Sequence, residues 1–134
     1  MKANELMIGD WVYLIHTEDN IAPYKEETRI EADDLSRDAC ILEAHYEPIP
    51  LTPEILEKNG FVENRGVTSW KFETEKEDLI DIYGYNEYHL SINIEDTHGS
   101  GKGYRWMLNN LVIFYVHQLQ HAIRLCGIEK EITL

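Results

Sequence analysis

The chain has 134 residues, of which 43% are hydrophobic and 28% charged, and this length and composition suit one globular domain. No apolar run approaches the roughly 18 residues of a membrane helix, and the first residues lack the apolar core of a signal peptide. Two cysteines do not make a disulfide framework. We therefore expect a single α+β domain over residues 1–134, located in the cytoplasm with Cys40 and Cys126 reduced.

Acidic residues dominate the charge, since 25 Asp and Glu against 12 Lys and Arg give a net charge of -13. Residues 1–50 carry -8, residues 51–100 carry -7, and residues 101–134 carry +2. Because nucleic-acid affinity depends on Lys and Arg displacing counterions, this balance disfavours nucleic-acid binding. One weaker alternative is a nucleic-acid contact through Lys102, Arg105 and Arg124. The acid runs are either solvated faces that aid solubility or a surface that meets a basic partner, as in DNA mimicry.

The N-terminal part reads as strand-rich. Residues 11–15 form a β-branched and aromatic run of strand length, and residues 18–20 read as a turn. Residues 28–32 suit a strand, residues 33–37 a turn or one helical turn, and residues 39–44 another strand with Cys40 in its interior. These opening strands are compatible with a small SH3-like barrel or partial barrel.

Residues 52–60 carry the clearest helix signal. Thr52 can cap the first turn with its hydroxyl, and Pro53 suits the first helical position, where no N–H is needed. Glu54 lies in the favourable field of the helix start, and Gly60 can take the left-handed conformation that ends a helix. The sequence predicts a short helix here.

An antiparallel meander of three or four strands is predicted next. Apolar and polar residues alternate around residues 68–73 and 88–95, which indicates strands with one buried face. Residues 79–83 are a third candidate. Residues 97–103 read as a hairpin connection to a return strand over 104–108, and Asn109 and Asn110 as a turn.

From residue 115 to residue 126 the period lengthens to that of a helix, with Gly127 as its stop. The apolar stripe consists of Val116, Leu119, Ile123 and Cys126. A second stripe at the same spacing is polar and consists of His117, Gln120, His121 and Arg124. We expect the first stripe to pack on the sheet, and we interpret the second as a patch for a partner or an anionic ligand. Residues 129–134 suit a short edge strand.

The chemistry-bearing patterns are weak. His117 and His121 have the spacing of two metal ligands on a helix, but Gln118 follows the first histidine where a metalloprotease needs a glutamate. A third ligand would have to come from elsewhere, such as His89 or His98. Residues 99–103 lack the spacing of a phosphate-binding loop, and Cys40 and Cys126 read as buried core thiols. The sequence therefore predicts no catalytic residue, no metal site and no cofactor.

Tyrosine and tryptophan residues are frequent for a chain of this length. Most of them lie in predicted strands, where core packing is their ordinary role. Tyr85 is the tyrosine that we expect to be exposed, and it joins the polar stripe as a candidate for partner binding.

Three stretches carry a family resemblance, namely residues 1–12 (MKANELMIGDWV), 47–61 (EPIPLTPEILEKNGF) and 115–120 (YVHQLQ). Together they make the chain resemble a family of short uncharacterised proteins from gut anaerobic bacteria and their prophages. The resemblance implies a mobile-element setting, and this favours an accessory binding protein over a metabolic enzyme.

Two functional hypotheses follow. The first is a non-catalytic protein-interaction module of prophage or mobile-element origin, which meets an unidentified protein partner through its acidic surface or its polar helix stripe. The second is a small hydrolytic enzyme, with or without a metal ion, built around His117 and His121. The sequence does not define the oligomeric state.

Overall fold

A computed structural model of the chain describes residues 1–64, 68–84, 87–96 and 103–134, and for residues 95–96 and 103–106 it describes the backbone only. The chain forms two compact units, the first made of Met1–Pro50 and Tyr115–His117, the second of Leu51–Phe114 and Gln118–Leu134. Each unit contains an antiparallel sheet and helical residues, which confirms the α+β class. The single domain over residues 1–134 stays a prediction.

The first unit contains an open three-stranded sheet instead of the SH3-like barrel. Its strands are β1 (Trp11–His16), β2 (Tyr24–Arg29) and β3 (Tyr46–Pro48). They pair antiparallel in the order β2-β1-β3, so β2 and β3 are edges. Asn20 takes a φ of 68° in the predicted turn between β1 and β2, a conformation that asparagine tolerates better than most residues.

Helices cover one face of this sheet, and here one strand prediction is wrong. A 3-10 turn spans Ala3–Glu5, α1 spans Ala32–Leu35, and α2 spans Ala39–His45. The expected strand over residues 39–44 is therefore helix α2, because its alanines, leucine and glutamate favour a helix and only Leu42 is buried. Leu42 packs with Val12 of β1 in the core of the unit.

The second unit contains a five-stranded meander. Its strands are β4 (Val62–Asn64), β5 (Ser69–Glu73), β6 (Leu79–Tyr83), β7 (Tyr88–Asp96) and β8 (Gly103–Ile113). They pair antiparallel in sequence order. The turn predicted at Asn109 and Asn110 is wrong, since β8 continues through both. The register with β7 shifts there and Asn110 takes a φ of 57°, so the residues form an irregularity within the strand.

The short helix predicted after Thr52 is confirmed as α3 (Pro53–Lys58). The Thr52 hydroxyl oxygen accepts a hydrogen bond from the backbone N–H of Ile55 at 3.3 Å. Gly60 takes a φ of 85°, and the N–H of Phe61 reaches the carbonyl of Leu56 at 3.0 Å. This is the Schellman ending, which satisfies a carbonyl that the helix leaves unpaired.

The C-terminal helix is also confirmed, as α4 (Val116–Leu125). Leu119, Ala122 and Ile123 are buried, and Ala122 lines one shallow groove together with Ile113 of β8, so α4 packs against the sheet. The helix ends at Gly127, whose φ is 71°. Residues 128–134 pair with none of the described strands, so the short edge strand expected there is not formed.

Candidate functional site

The polar stripe of α4 does not form one exposed patch. His117 and Gln120 are buried, His121 is half-buried and Arg124 is exposed. The buried arc of the helix is wider than the apolar stripe predicts, and it includes these two polar positions. Of the four residues, only His121 and Arg124 therefore offer a surface to a partner.

The remaining residues that the sequence analysis singled out are three whose side chains the structure does not describe and two cysteines. Tyr85 and Lys102 lie outside the described residues, and the side chain of Arg105 is not described. The thiol of Cys126 is buried as expected, and this burial raises its pKa. The sequence predicts Cys40 in the core, and this prediction is wrong: Cys40 is exposed, because its segment is helical and turns it outward.

Within the described ranges, the two histidines of α4 join no group of potential metal ligands. The His117 ring stacks on the Tyr115 ring, with their centroids 5.8 Å apart. In the described part of the chain, no group of three or more His, Cys, Asp or Glu side chains is placed to hold a metal ion. His89 lies in β7, and its Nε2 is 3.8 Å from a carboxylate oxygen of Glu87. His98 lies outside the described residues.

His121 lines a small apolar groove between β8 and α4. The groove has a volume of about 200 Å³ and includes Leu111, Val112 and Leu125 in its wall. Leu125 is 79% exposed. Among the residues that the structure describes, the wall contains no Asp, Glu, Lys or Arg, so these residues offer apolar area without a charge that would select a partner.

Polar residues are buried on the face of the second sheet that the alternation of β7 assigns to solvent. Ser91 and Asn93 of β7 and Asp81 of β6 are each at most 9% exposed. Asp81 lies opposite Ser91 in the register, and the Lys71 ammonium is 3.8 Å from its carboxylate. Burial raises the pKa of Asp81, and the charge of Lys71 opposes that rise. We call Ser91, Asn93 and Asp81 the polar row. The alternation of β7 wrongly assigns its two members in that strand to solvent.

A larger cleft lies in the second unit between the β5–β6 hairpin and the C-terminal tail (residues 127–134). Its volume is about 430 Å³, and we call it the acidic cleft. Phe72 and Ile128 supply apolar lining. Its charged lining residues are Glu73, Glu75, Lys76, Asp78, Glu129, Lys130 and Glu131. Five carboxylates against two ammonium groups give the cleft a negative potential, and a concave low-dielectric wall concentrates it.

Thr74 holds the hairpin wall of the acidic cleft. Its N–H donates to the carbonyl of Asp78 at 2.9 Å, and its side-chain oxygen accepts from the N–H of Asp78 at 3.1 Å. Glu77 takes a φ of 63°, and its N–H returns to the carbonyl of Thr74 at 2.9 Å. These bonds close the turn that connects β5 and β6.

Asn59 holds the opposite wall by clamping the C-terminal tail. Its side-chain amide donates to the carbonyl of Thr133 at 2.7 Å and accepts from the N–H of Thr133 at 2.7 Å. Asn59 is buried, as are Ile128 and Ile132 of the tail. Since both walls are held by hydrogen bonds or buried side chains, the acidic cleft is largely formed before any ligand enters.

A cation lies over the Phe72 ring in this cleft. The Lys130 ammonium lies 4.0 Å from the ring centroid, within the range of a cation–π interaction. Burial lowers the pKa of Lys130. Phe72 is itself supported by Phe61, with ring centroids 5.4 Å apart. The cleft therefore combines an aromatic face with a lining rich in carboxylates, and these features can hold a positively charged group. The Lys130 ammonium is one such group, and it already lies over the ring.

Sequence reasoning missed this site because its two walls are separated by about fifty positions in the chain. The sequence predicts a short edge strand for the tail, and it interprets acid runs in general as solvated faces. The only local signal was the density of acids in residues 73–78 and 129–131, and such density by itself is typical of an ordinary surface.

Comparison of the chain with protein-family models, with curated proteins and with solved structures finds no match in any of the three. None of the helices in the described ranges has the length and apolar character needed to cross a bilayer.

Proposed function

We propose that this protein is a non-catalytic protein-interaction module, and that its acidic cleft receives a basic segment of a protein partner. The observation that carries the proposal is that five acidic residues and the Phe72 ring line one preformed cleft. Charge complementarity at such a surface speeds association and rejects partners of the wrong sign. The resemblance noted above supports a prophage or mobile-element setting, and we place the protein in the cytoplasm.

The acidic cleft suits a protein segment better than a small anion or a nucleic-acid backbone. Phosphate groups would meet a net negative wall, whereas lysine and arginine side chains would meet carboxylates at the rim and an apolar floor beneath. The aliphatic stems of basic side chains can cover such a floor while their charged ends reach the rim. The exposed carboxylates of Glu73, Glu75 and Glu129 stand at the rim.

The proposal is tested with a labelled octapeptide of four Arg-Ser repeats and two matched triple variants. The cleft variant is Glu73→Gln, Glu75→Gln, Glu129→Gln. The control variant removes the same charge at exposed positions outside the cleft, by Glu18→Gln, Glu27→Gln and Glu57→Gln. Because each exposed ion pair contributes about 0.2–1 kcal/mol, we expect the cleft variant to bind about tenfold more weakly.

Fluorescence anisotropy at about 0.1 M salt gives both dissociation constants under the same screening. The control variant should lose less than about threefold. Equal losses in the two variants would show that the net charge of the chain, and not the acidic cleft, attracts the peptide, and the proposal would be wrong.

A further inference from the structure

Lys130 occupies the acidic cleft in an unusual way for a lysine among acids. Its ammonium lies over the Phe72 ring, and with the described residues it forms no hydrogen bond or ion pair. Pairing with a carboxylate at the surface would contribute only about 0–1 kcal/mol to an ammonium, whereas the ring face attracts it through the cation–π interaction. In this cleft the aromatic face is therefore the position that holds a cation, and the rim carboxylates are left for a second cation.

Resting on the proposed function, we infer that the group recognised in the acidic cleft is an arginine side chain of the partner, which takes the place of the Lys130 ammonium over the Phe72 ring. Lys130 is then an internal occupant of the site. It covers the ring in the free protein and moves toward solvent when the partner binds.

The geometry favours arginine over lysine as the entering group. A guanidinium is planar, stacks on an aromatic face and can pair with a carboxylate through two parallel N–H groups at once. Glu73 lines the cleft from β5 and Glu129 lines it from the tail, so each of the two walls contributes a carboxylate. An ammonium is a compact and strongly hydrated charge, and it loses more hydration on entering such a position.

Displacement of Lys130 requires no movement of the backbone. The tail is held through Thr133 and the buried Ile132, on the C-terminal side of Lys130. The lysine side chain has four rotatable bonds and can swing outward while the tail stays clamped. Because burial lowers the pKa of Lys130, its charged form is partly desolvated in the cleft, and it regains water when it leaves.

The inference is tested with three peptides of the same length, containing Arg-Ser, Lys-Ser or citrulline-Ser repeats. Citrulline keeps the planar shape of arginine without its charge. We expect the arginine peptide to bind about fivefold more tightly than the lysine peptide, and the citrulline peptide to bind weakest. The Phe72→Leu variant should remove the preference for arginine over lysine, and Lys130→Ala should tighten arginine-peptide binding about threefold or more.

Proton NMR of the wild-type protein gives a second readout that needs no variant. The ε-methylene protons of Lys130 should be shifted upfield by the Phe72 ring current in the free protein. They should move to the ordinary lysine position when the arginine peptide saturates the site. An upfield shift that persists in the bound state would overturn the displacement. This readout uses the wild-type protein only, so it holds whether or not Phe72→Leu folds.

The two proposals fail in different ways. If the cleft variant loses peptide binding but lysine and arginine peptides bind equally, with Phe72→Leu no different from the wild type, the acidic cleft is a binding site and the arginine assignment is wrong. If the cleft and control variants lose binding equally, the proposed function itself is wrong, and the arginine assignment falls with it.

Discussion

Asp81 shows how burial and charge compete at a single residue. Its carboxylate is mostly shielded from water in the middle of the second sheet, and the Lys71 ammonium is 3.8 Å away. Burial is the larger of the two effects, so the pKa of Asp81 is raised. The Lys71 side chain is largely exposed, and solvent screening keeps its attraction small. The ionised form of Asp81 therefore costs stability.

This conclusion predicts that Asp81→Asn stabilises the protein at neutral pH. A carboxyl whose pKa in the folded state exceeds its ordinary value of 3.8 destabilises the fold at any pH above the folded pKa. The penalty fades as the pH falls through the folded pKa and is gone below the ordinary value. We expect a gain on the order of 1 kcal/mol at pH 7, or roughly 3 °C in Tm, that shrinks toward pH 4.

Thermal unfolding followed by circular dichroism across this pH range measures the effect. Asp19→Asn is the control, since Asp19 is an exposed turn residue. A Tm that falls in Asp81→Asn at pH 7 would mean that the attraction of Lys71 outweighs the burial of the carboxylate.

Short helices are determined here by the residues at their ends. Thr52, Pro53 and Gly60 define α3 by capping, by a fixed φ and by a left-handed ending, and Gly127 ends α4 in the same way. These signals act within a few residues, so they can be read from the sequence. The segment over residues 39–44 lacks such a signal, and its few apolar residues fit a strand as well as one face of a helix. The sequence therefore predicts a strand where the structure contains helix α2.

The cap of α3 gives a prediction at the scale of the element. Thr52→Ala removes the hydroxyl that accepts from the N–H of Ile55, and it should lower the free energy of unfolding by about 1 kcal/mol. Thr17→Ala, in the exposed loop after β1, should change it by less than about 0.5 kcal/mol. Urea unfolding of both variants gives the comparison. Equal and small effects would indicate that packing of α3, and not its cap, fixes the start of the helix.

The alternation in β7 predicts the strand correctly and the environment of its polar residues incorrectly. Its period of two gives the strand and the two faces, but it assigns polar residues to solvent by default. Ser91 and Asn93 are nevertheless buried, and the Ser91 hydroxyl accepts a hydrogen bond from the backbone N–H of Asn110 in β8. Burial of a polar face depends on neighbours that are distant in the chain, and no local pattern reports them.

The net charge of -13 acts on the whole molecule. Like charges repel more strongly in the compact state than in the unfolded chain, so this repulsion lowers stability. Added salt shortens the Debye length from about 30 Å at 0.01 M to about 8 Å at 0.15 M and screens the repulsion. We predict that the Tm of the protein rises between these two concentrations of sodium chloride.

Differential scanning calorimetry checks this prediction. The variant with Glu18→Gln, Glu27→Gln and Glu57→Gln has a smaller net charge and should show a smaller rise in Tm. A Tm that is insensitive to salt, or that falls, would mean that local ion pairs outweigh the general repulsion.

The sequence by itself determined the α+β class, the capped helix after Thr52, most of the meander and the amphipathic C-terminal helix, because each rests on periodicity or on end residues close in the chain. The tertiary structure alone decided the burial of His117 and Gln120, the polar row around Asp81 and the acidic cleft. The cleft joins the β5–β6 hairpin to the tail that Asn59 clamps. Its charge and its aromatic face come from segments that only the folded chain brings together. A local pattern carries no information about contacts between residues so far apart in the chain.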